Sequence, residues 1–332
     1  MEIFLVACSM VCAVVPMVVF LAVVWWMDRY DREPLWLLTL VFMWGAIGGV
    51  VLALIGSTVL MLPVGLVASA GIADATGAVV IAPLIEEPAK AAILLLVIWN
   101  RHFDNMTDGF VYGAAAGLGF GMTENFLYFA SVAVTGDPIG WAFTVVLRTL
   151  YSAVMHASAS SLVGAALGFA RFRGCIALIA SLPVGLAGAM AIHALWNGLL
   201  TLDAMVGLGG AGFGVNLLLF PLEFLVLFGI YNLCLWVESS TIQKHLQEEA
   251  AAGLIPATHP PILASYCQRN RRAWVPKGVN HHKYVYAATT LAFRKSQLAT
   301  ASGARSDFYK KDVERLRAEV AALLAPKPRS KP

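Results

Sequence analysis

Seven long apolar stretches, separated by short polar connections, occupy the first 237 of the chain's 332 residues. They are Ile3–Met27, Leu35–Leu62, Ala78–Trp99, Gly109–Val134, Gly140–Ala170, Cys175–Leu202 and Phe213–Val237. A helix needs about 20 apolar residues to cross the hydrocarbon core of a bilayer, and each stretch meets that length. The pattern predicts an all-α fold, a polytopic membrane helical bundle of about seven transmembrane helices over residues 1–237. A small helical cytoplasmic tail, residues 238–332, completes the chain. No basic residue precedes the first stretch, and its apolar run exceeds the ~7–15 residues of a cleavable signal core. It reads as a retained helix.

Composition agrees with this pattern. The chain is 59% hydrophobic and 13% charged, where soluble domains carry about a quarter charged residues. Basic residues then orient it. Only seven Lys or Arg precede residue 238, and outside the spans they fall in alternate connections: Arg29 and Arg32, Arg101, then Arg171 and Arg173. Basic loops stay cytoplasmic, so the expectation is a multi-pass protein of the plasma membrane, N-terminus outside and C-terminus inside. The five cysteines form no CxxC and no paired set, so no disulfide framework is expected.

The tail is different material. "ESSTIQKHLQEEAAAGLI" and "SDFYKKDVERLRAEVAALL" read as amphipathic helices, the second with Ser306 or Asp307 as N-cap. The basic, proline-broken segment between them fits a solvated appendage better than a nucleic-acid surface, and no nucleic-acid partner is expected.

Ionisable residues inside spans are expensive, roughly 2.5–3.5 kcal/mol each on insertion scales, and by default mark function. Glu86, Glu87 and Lys90 interrupt the third stretch, Glu124 and Asn125 the fourth, His156 the fifth, and His193 and Asn197 the sixth. Counted from the span ends at ~1.5 Å per residue, Glu86, Glu124 and His193 fall about 12–15 Å below the outer boundary. His156 rises about 21 Å from the inner one. Antiparallel spans therefore bring their polar groups to one depth. Glu86 and Lys90, at i and i+4, share a helix face. Pro83 and Pro88 remove two helical hydrogen bonds, which is tolerated at depth only in a protein interior or wet cavity. Glycines at 109, 113, 117 and 121 form a stripe leading to Glu124, read as close helix packing.

Other polar residues have plainer readings. Asp28, Arg29, Asp31, Arg32 and Glu33 are expected in a solvated loop, and Asp108 at the start of the fourth helix. Glu223 is expected to neutralise Arg148 or Lys90.

This set permits two chemistries. A buried carboxylate can hold a water and take its proton while a His or Asn donates to the developing oxyanion. Alternatively, Glu124, His156 and His193 ligate Zn2+, with Glu86 or Glu87 as the base. Buried Glu, His and Lys are also the vocabulary of a proton- or ion-coupled transporter, although no inverted repeat of the motifs is found.

The motifs "EEPAK" (Glu86–Lys90), "FGMTEN" (Phe120–Asn125), "HASAS" (His156–Ser160) and "HALWN" (His193–Asn197) together resemble those of the PrsW family of intramembrane proteases, which is related to the CAAX-protease and bacteriocin-processing superfamily. The likeness spans roughly residues 28–202, and "DRYDREP" and "DGFVYGAAAGLGF" also look familial. It implies hydrolysis of a membrane-anchored protein, such as an anti-sigma-factor-like regulator, within the lipid bilayer. By motif match it gives the catalytic roles to Glu86, Glu87, Glu124, His156 and His193, supported by Lys90, Asn125 and Asn197. Glutamic and metal-dependent mechanisms both stay open.

Overall fold

The computed structural model describes residues 1–207, 209–301 and 303–325. Among them no strand occurs. Contacts divide the chain into two compact units. The first contains Met1–Asp28 and Arg32–Tyr231; the second contains Arg29–Asp31 and the residues from Asn232 on.

The first unit is built on α1 (Glu2–Met27), α2 (Leu35–Val67), α3 (residues 70–97), α4 (Met106–Ala133), α5 (Pro138–Ala170), α6 (Cys175–Val206) and the first half of α7 (Ala211–Ala251). Five of these, α1, α2, α5, α6 and α7, are long and apolar enough to cross a membrane by composition alone. The other two, α3 and α4, are also of membrane length, and they carry the glutamates. Their polar load keeps them out of the apolar count and puts them inside the bundle: α4 is buried almost continuously from Thr107 to Gly121.

Local rules set the ends. The Asn105 side-chain oxygen accepts from the backbone N–H groups of Thr107 and Asp108 at 2.7 and 3.0 Å, and Asp108 Oδ2 accepts from the Asn105 N–H at 3.0 Å. This capping box starts α4. Asp137 opens α5 by accepting from Ile139 and Gly140. Three helices carry a π-helical turn: Trp44–Gly49 in α2, Gly77–Ile81 in α3 and Arg148–Ser152 in α5. Such turns recur at functional sites, and here they adjoin the polar residues.

Lipid supplies no hydrophobic drive between helices, so close approach has to come from small residues. The glycine stripe of α4 does this against α5. A methyl group at Gly113 would lie 2.2 Å from the Ser160 carbonyl oxygen, and one at Gly117 2.2 Å from that of His156. On the opposite face, α2 and α4 meet at Gly45 and Gly119 with equally little room. The bundle core includes Leu37, Phe42, Leu94, Tyr112, Leu118 and Val163.

The loop before α2 is not solvated as the sequence suggested. Asp28 is fully buried and Glu33 is 4% exposed. Tyr112 donates to Glu33 Oε2, Glu33 N–H donates to Asp28 Oδ2 at 3.2 Å, and the Trp25 indole donates to the Glu33 carbonyl at 2.9 Å. Tyr112 lies on the buried face of α4 and so draws the acid inward. Burial above all pushes the Glu33 carboxyl well above the usual carboxylate range, and the nearby Asp28 and Asp104 add to this.

The second unit gathers the rest of α7 with α8 (His259–Ala264), α9 (Tyr266–Arg269), α10 (His281–Leu298) and α11 (Ala304–Leu324). Its core contains Ile242, Leu246, Leu263, Tyr284, Leu291 and Leu316. α11 starts before the expected caps: Ser306 N–H already bonds the Gly303 carbonyl at 2.9 Å, so Ser306 and Asp307 lie inside the helix. Gly303, with φ near +60°, supplies the entry that an ordinary residue resists. Glu249, 2% exposed, receives Lys295 at 2.6 Å and both arms of Arg317 at 2.6 and 2.9 Å.

This packing makes two predictions. Gly117→Leu must push α5 off α4 and move His156; thermal stability should fall by a few kcal/mol, and Glu124 should lose its imidazole partner, as read by loss of His156 coupling in NMR. For Glu249, burial alone would raise the carboxyl, but the hydrogen bonds from Arg317 and Lys295 prevail and hold it below the usual range. The stability it contributes is present above its unfolded value of about 4.3 and is lost as pH falls through the lower folded value. Exchange protection of α10 and α11, corrected for intrinsic rate, should therefore drop below about pH 4, and Glu249→Gln should flatten that dependence.

Candidate active site

Four helices contribute to one string of ion pairs and hydrogen bonds. It begins at Arg148, in the π turn of α5, whose Nη2 lies 2.8 Å from Glu124 Oε2 on α4. The same oxygen is 2.6 Å from His156 Nε2. His156 Nδ1 lies 2.9 Å from Lys90 Nζ on α3, and Lys90 donates to Glu87 Oε1 at 2.7 Å. Glu87 Oε1 is in turn 2.7 Å from His193 Nδ1 on α6. Glu86 Oε2 stands beside this string, 3.7 Å from Lys90 Nζ and 3.9 Å from His193 Nε2.

These partners dictate proton positions. An ammonium has no lone pair, so His156 Nδ1 must accept from Lys90, and its ring proton is then on Nε2, donated to Glu124. The Glu87 carboxylate can only accept, so His193 carries its proton on Nδ1. That leaves His193 Nε2 as a bare acceptor facing Glu86. Phe120 closes the group from α4, with Lys90 over its ring at 4.4 Å.

The two neighbouring glutamates differ in access. The Glu87 and Lys90 side chains are fully buried, whereas those of Glu86 and Glu124 are 14% and 22% exposed. Both exposed acids line a cavity of about 440 Å³ between α2, α3 and α4, walled by Val50, Leu54, Met61 and Tyr128 among others. Glu86 Oε2 accepts no hydrogen bond among the described residues.

Of the eight residues singled out from sequence, six form the cluster itself. Asn125 and Asn197 serve the backbone around it. Asn125 donates to the Arg148 carbonyl at 3.4 Å and accepts from Arg148 Nε at 3.1 Å, and Asn197 donates to the Ala78 carbonyl in the π turn of α3 at 2.9 Å. The pairing expected for Glu223 does not form: Arg148 is taken by Glu124, and Lys90 by Glu87 and Glu86. Glu223 instead lines a second, apolar cavity of about 250 Å³ beside Ser158, Trp196 and Asn216. Sequence reasoning offered Arg148 to Glu223 and did not pair it with Glu124. It also overlooked Tyr128, on which the Arg148 guanidinium stacks at 3.6 Å.

Residues 33–228, which contain all of these groups, match a family model described as PrsW family intramembrane metalloprotease. The chain belongs to the PrsW family. Among curated relatives, Protease PrsW of Bacillus subtilis (strain 168) is 34% identical over 118 residues, 35% of this chain and 50% of that protein. Protease PrsW of Geobacillus kaustophilus (strain HTA426) is 30% identical over 160 residues, 48% and 65% of the two chains. Protease PrsW of Clostridioides difficile (strain 630) is 32% identical over 121 residues, 36% and 49%. The chain thus matches about half to just under two thirds of these relatives' lengths. No solved structure matches it.

The PrsW family description implies a metal, and the donors can be tested for it. Ligand atoms of Glu86, His156 and His193 all lie within 4.8 Å of one another. Two imidazoles and a carboxylate suit zinc in type and number, with one position left for water. The orphaned Glu86 oxygen and the bare His193 Nε2 fit this directly, and Glu87 supplies the carboxylate that such a histidine wants behind it. The set differs from the one expected from sequence, because Glu86 takes the place of Glu124. His156 fits on two conditions: ligation through Nε2 replaces its bond to Glu124, and Lys90, whose ammonium cannot accept the proton this puts on Nδ1, turns away from the ring. Asp28, Glu33 and Asp108 meet the same spacing, but they belong to the Tyr112 socket described above.

Metal analysis of the purified protein should find about one ion per chain, lost in both His193→Ala and His156→Ala. Full activity in protein stripped of metal by a chelator would instead assign water activation to Glu86 without an ion.

Proposed function

We propose that this PrsW-family chain is an intramembrane endopeptidase that hydrolyses a peptide bond in a membrane-anchored protein, with Glu86 as the base. The orphaned Glu86 Oε2 on the cavity wall, facing an unprotonated imidazole nitrogen 3.9 Å away, carries this reading. A water between them donates one proton to each. As its oxygen attacks the substrate carbonyl, a C–O bond forms, the carbonyl becomes an oxyanion, and Glu86 takes the water's proton. Collapse of the oxyanion breaks the C–N bond, and Glu86 returns that proton to the departing nitrogen, giving an acid and an amine.

The remaining residues prepare this step. Glu87 orients His193, Lys90 offsets part of the charge of the two adjacent carboxylates, and Glu124 with Arg148 holds His156. The Tyr128 and Ser57 hydroxyls on the same wall are neutral donors available to the oxyanion. A zinc ion would instead take Glu86 as a ligand, with His156 and His193, and would itself acidify the water and polarise the carbonyl in place of the Glu86 base. The substrate belongs to the class of single-span proteins, including anti-sigma-factor-like regulators. The basic loops support a plasma-membrane protein with its N-terminus outside.

Comparison of membrane proteomes from cells holding wild-type or Glu86→Gln protein should reveal a single-span protein cleaved only by the wild type. In reconstituted vesicles Glu86→Gln should lose roughly 10²–10⁴-fold in rate, and Glu87→Gln about 10–100-fold, at unchanged membrane levels. Cleavage by Glu86→Gln at the wild-type rate overturns the assignment, and solute flux abolished by Glu124→Gln without any proteolysis would make the chain a transporter.

A further inference from the structure

The cavity holding Glu86 and Glu124 has a third carboxylate, and it is the one without a counter-charge. Asp74 lies on the cavity wall, on an exposed stretch of α3 twelve residues before Glu86. Glu86 faces Lys90 at 3.7 Å, and Glu124 faces Arg148 at 2.8 Å. Among the described residues no Lys, Arg or His lines the cavity, and Asp74 takes part in no hydrogen bond or ion pair. Apart from these acids the wall is largely apolar, with Val50, Leu54, Met61, Ile81 and Leu127.

We propose that Asp74 is a specificity-determining residue of the peptidase proposed above, selecting substrate segments that carry Lys or Arg on the Asp74 side of the scissile bond. This inference rests on that reading of Glu86. Deeper in the cavity Glu124 has Arg148 and Glu86 shares Lys90 with Glu87, so the Asp74 end is where an entering peptide meets a carboxylate with no cation beside it. Low-dielectric walls strengthen its pull on a cation and its repulsion of an acid. Twelve residues of helix put Asp74 about 18 Å from Glu86 along the axis. A substrate unwound to extended chain covers that distance in about five residues, or fewer once the reach of a Lys or Arg side chain is counted.

The test uses the full chain in liposomes with synthetic single-span peptides, their cut first mapped by mass spectrometry. The peptides carry Lys, Gln or Glu in turn at positions roughly two to six residues from the cut. Wild-type protein should prefer Lys over Glu by at least about tenfold in kcat/KM, mostly through KM. Asp74→Asn should bring that ratio toward one, and Asp74→Lys should reverse it. Equal cleavage of all three peptides by wild type, or an unaltered ratio in Asp74→Asn, overturns the proposal. In that event the peptidase reading stands as long as Glu86→Gln abolishes the cut. Absence of any Glu86-dependent cut overturns both.

Discussion

A single buried ammonium organises the centre of this protein. Lys90 has no exposed surface and touches Glu87, Glu86 and His156 at once. An isolated charge at that depth would be prohibitive, and removing one partner from a buried pair typically costs about 3–5 kcal/mol. The arrangement is tolerable because neighbouring helices deliver its partners together. Lys90 also has no lone pair to offer, so it fixes which nitrogen of His156 bears the proton. That choice passes to Glu124 and, through Arg148, to the π turn of α5. A hydrocarbon residue of equal size could fill the volume, but it could not set these proton positions.

Holding such a string at 2.6–2.9 Å needs helices closer than ordinary side chains permit. The glycines of α4 meet this need with backbone alone. Gly117 faces the carbonyl of His156 itself, so the contact that brings α5 against α4 is made at the residue whose ring must reach Glu124. Packing and chemistry share one helical turn there. The π turns act in the same sense. Each adds a residue to its helix and rotates the next turns about the axis. All three are tied to the site by side chains, Trp44 to the Ala89 carbonyl, Asn197 to that of Ala78 and Arg148 to the Glu124 carboxylate.

The physics of each feature decided whether the sequence disclosed it. Apolar runs and the glycine stripe are periodic, so the helical bundle and the α4–α5 contact were readable, and the cost of charge in lipid singled out Glu86, Glu87, Lys90, Glu124 and the histidines. The π turns left no such trace, since inserting one residue breaks no hydrophobic pattern. Arg148 was visible as expensive, yet its partner was not. A long arginine side chain can reach several candidate acids, and only the fold shows it at Glu124, 2.8 Å away, with Glu223 on the wall of the other cavity. Asp28 and Glu33 were misread for a related reason. Loop acids are normally hydrated, and only the inward-facing hydroxyl of Tyr112, from another helix, makes burial favourable.

The adjacent pair Glu86 and Glu87 shows why residue type alone could not divide the roles. Successive residues on a helix point about 100° apart, so one can face the cavity while the other faces the bundle. Glu87 is sealed between Lys90 and His193, where a carboxylate that must stay put is useful. Each of the two keeps one oxygen without a hydrogen-bond donor among the described residues, but only Glu86 lines the cavity. A base has to exchange protons with something that arrives and leaves, which the sealed residue cannot do. If the two were equivalent, both would need the same access; the difference in burial is what the proposed reaction requires, with Glu87 orienting and Glu86 exchanging protons.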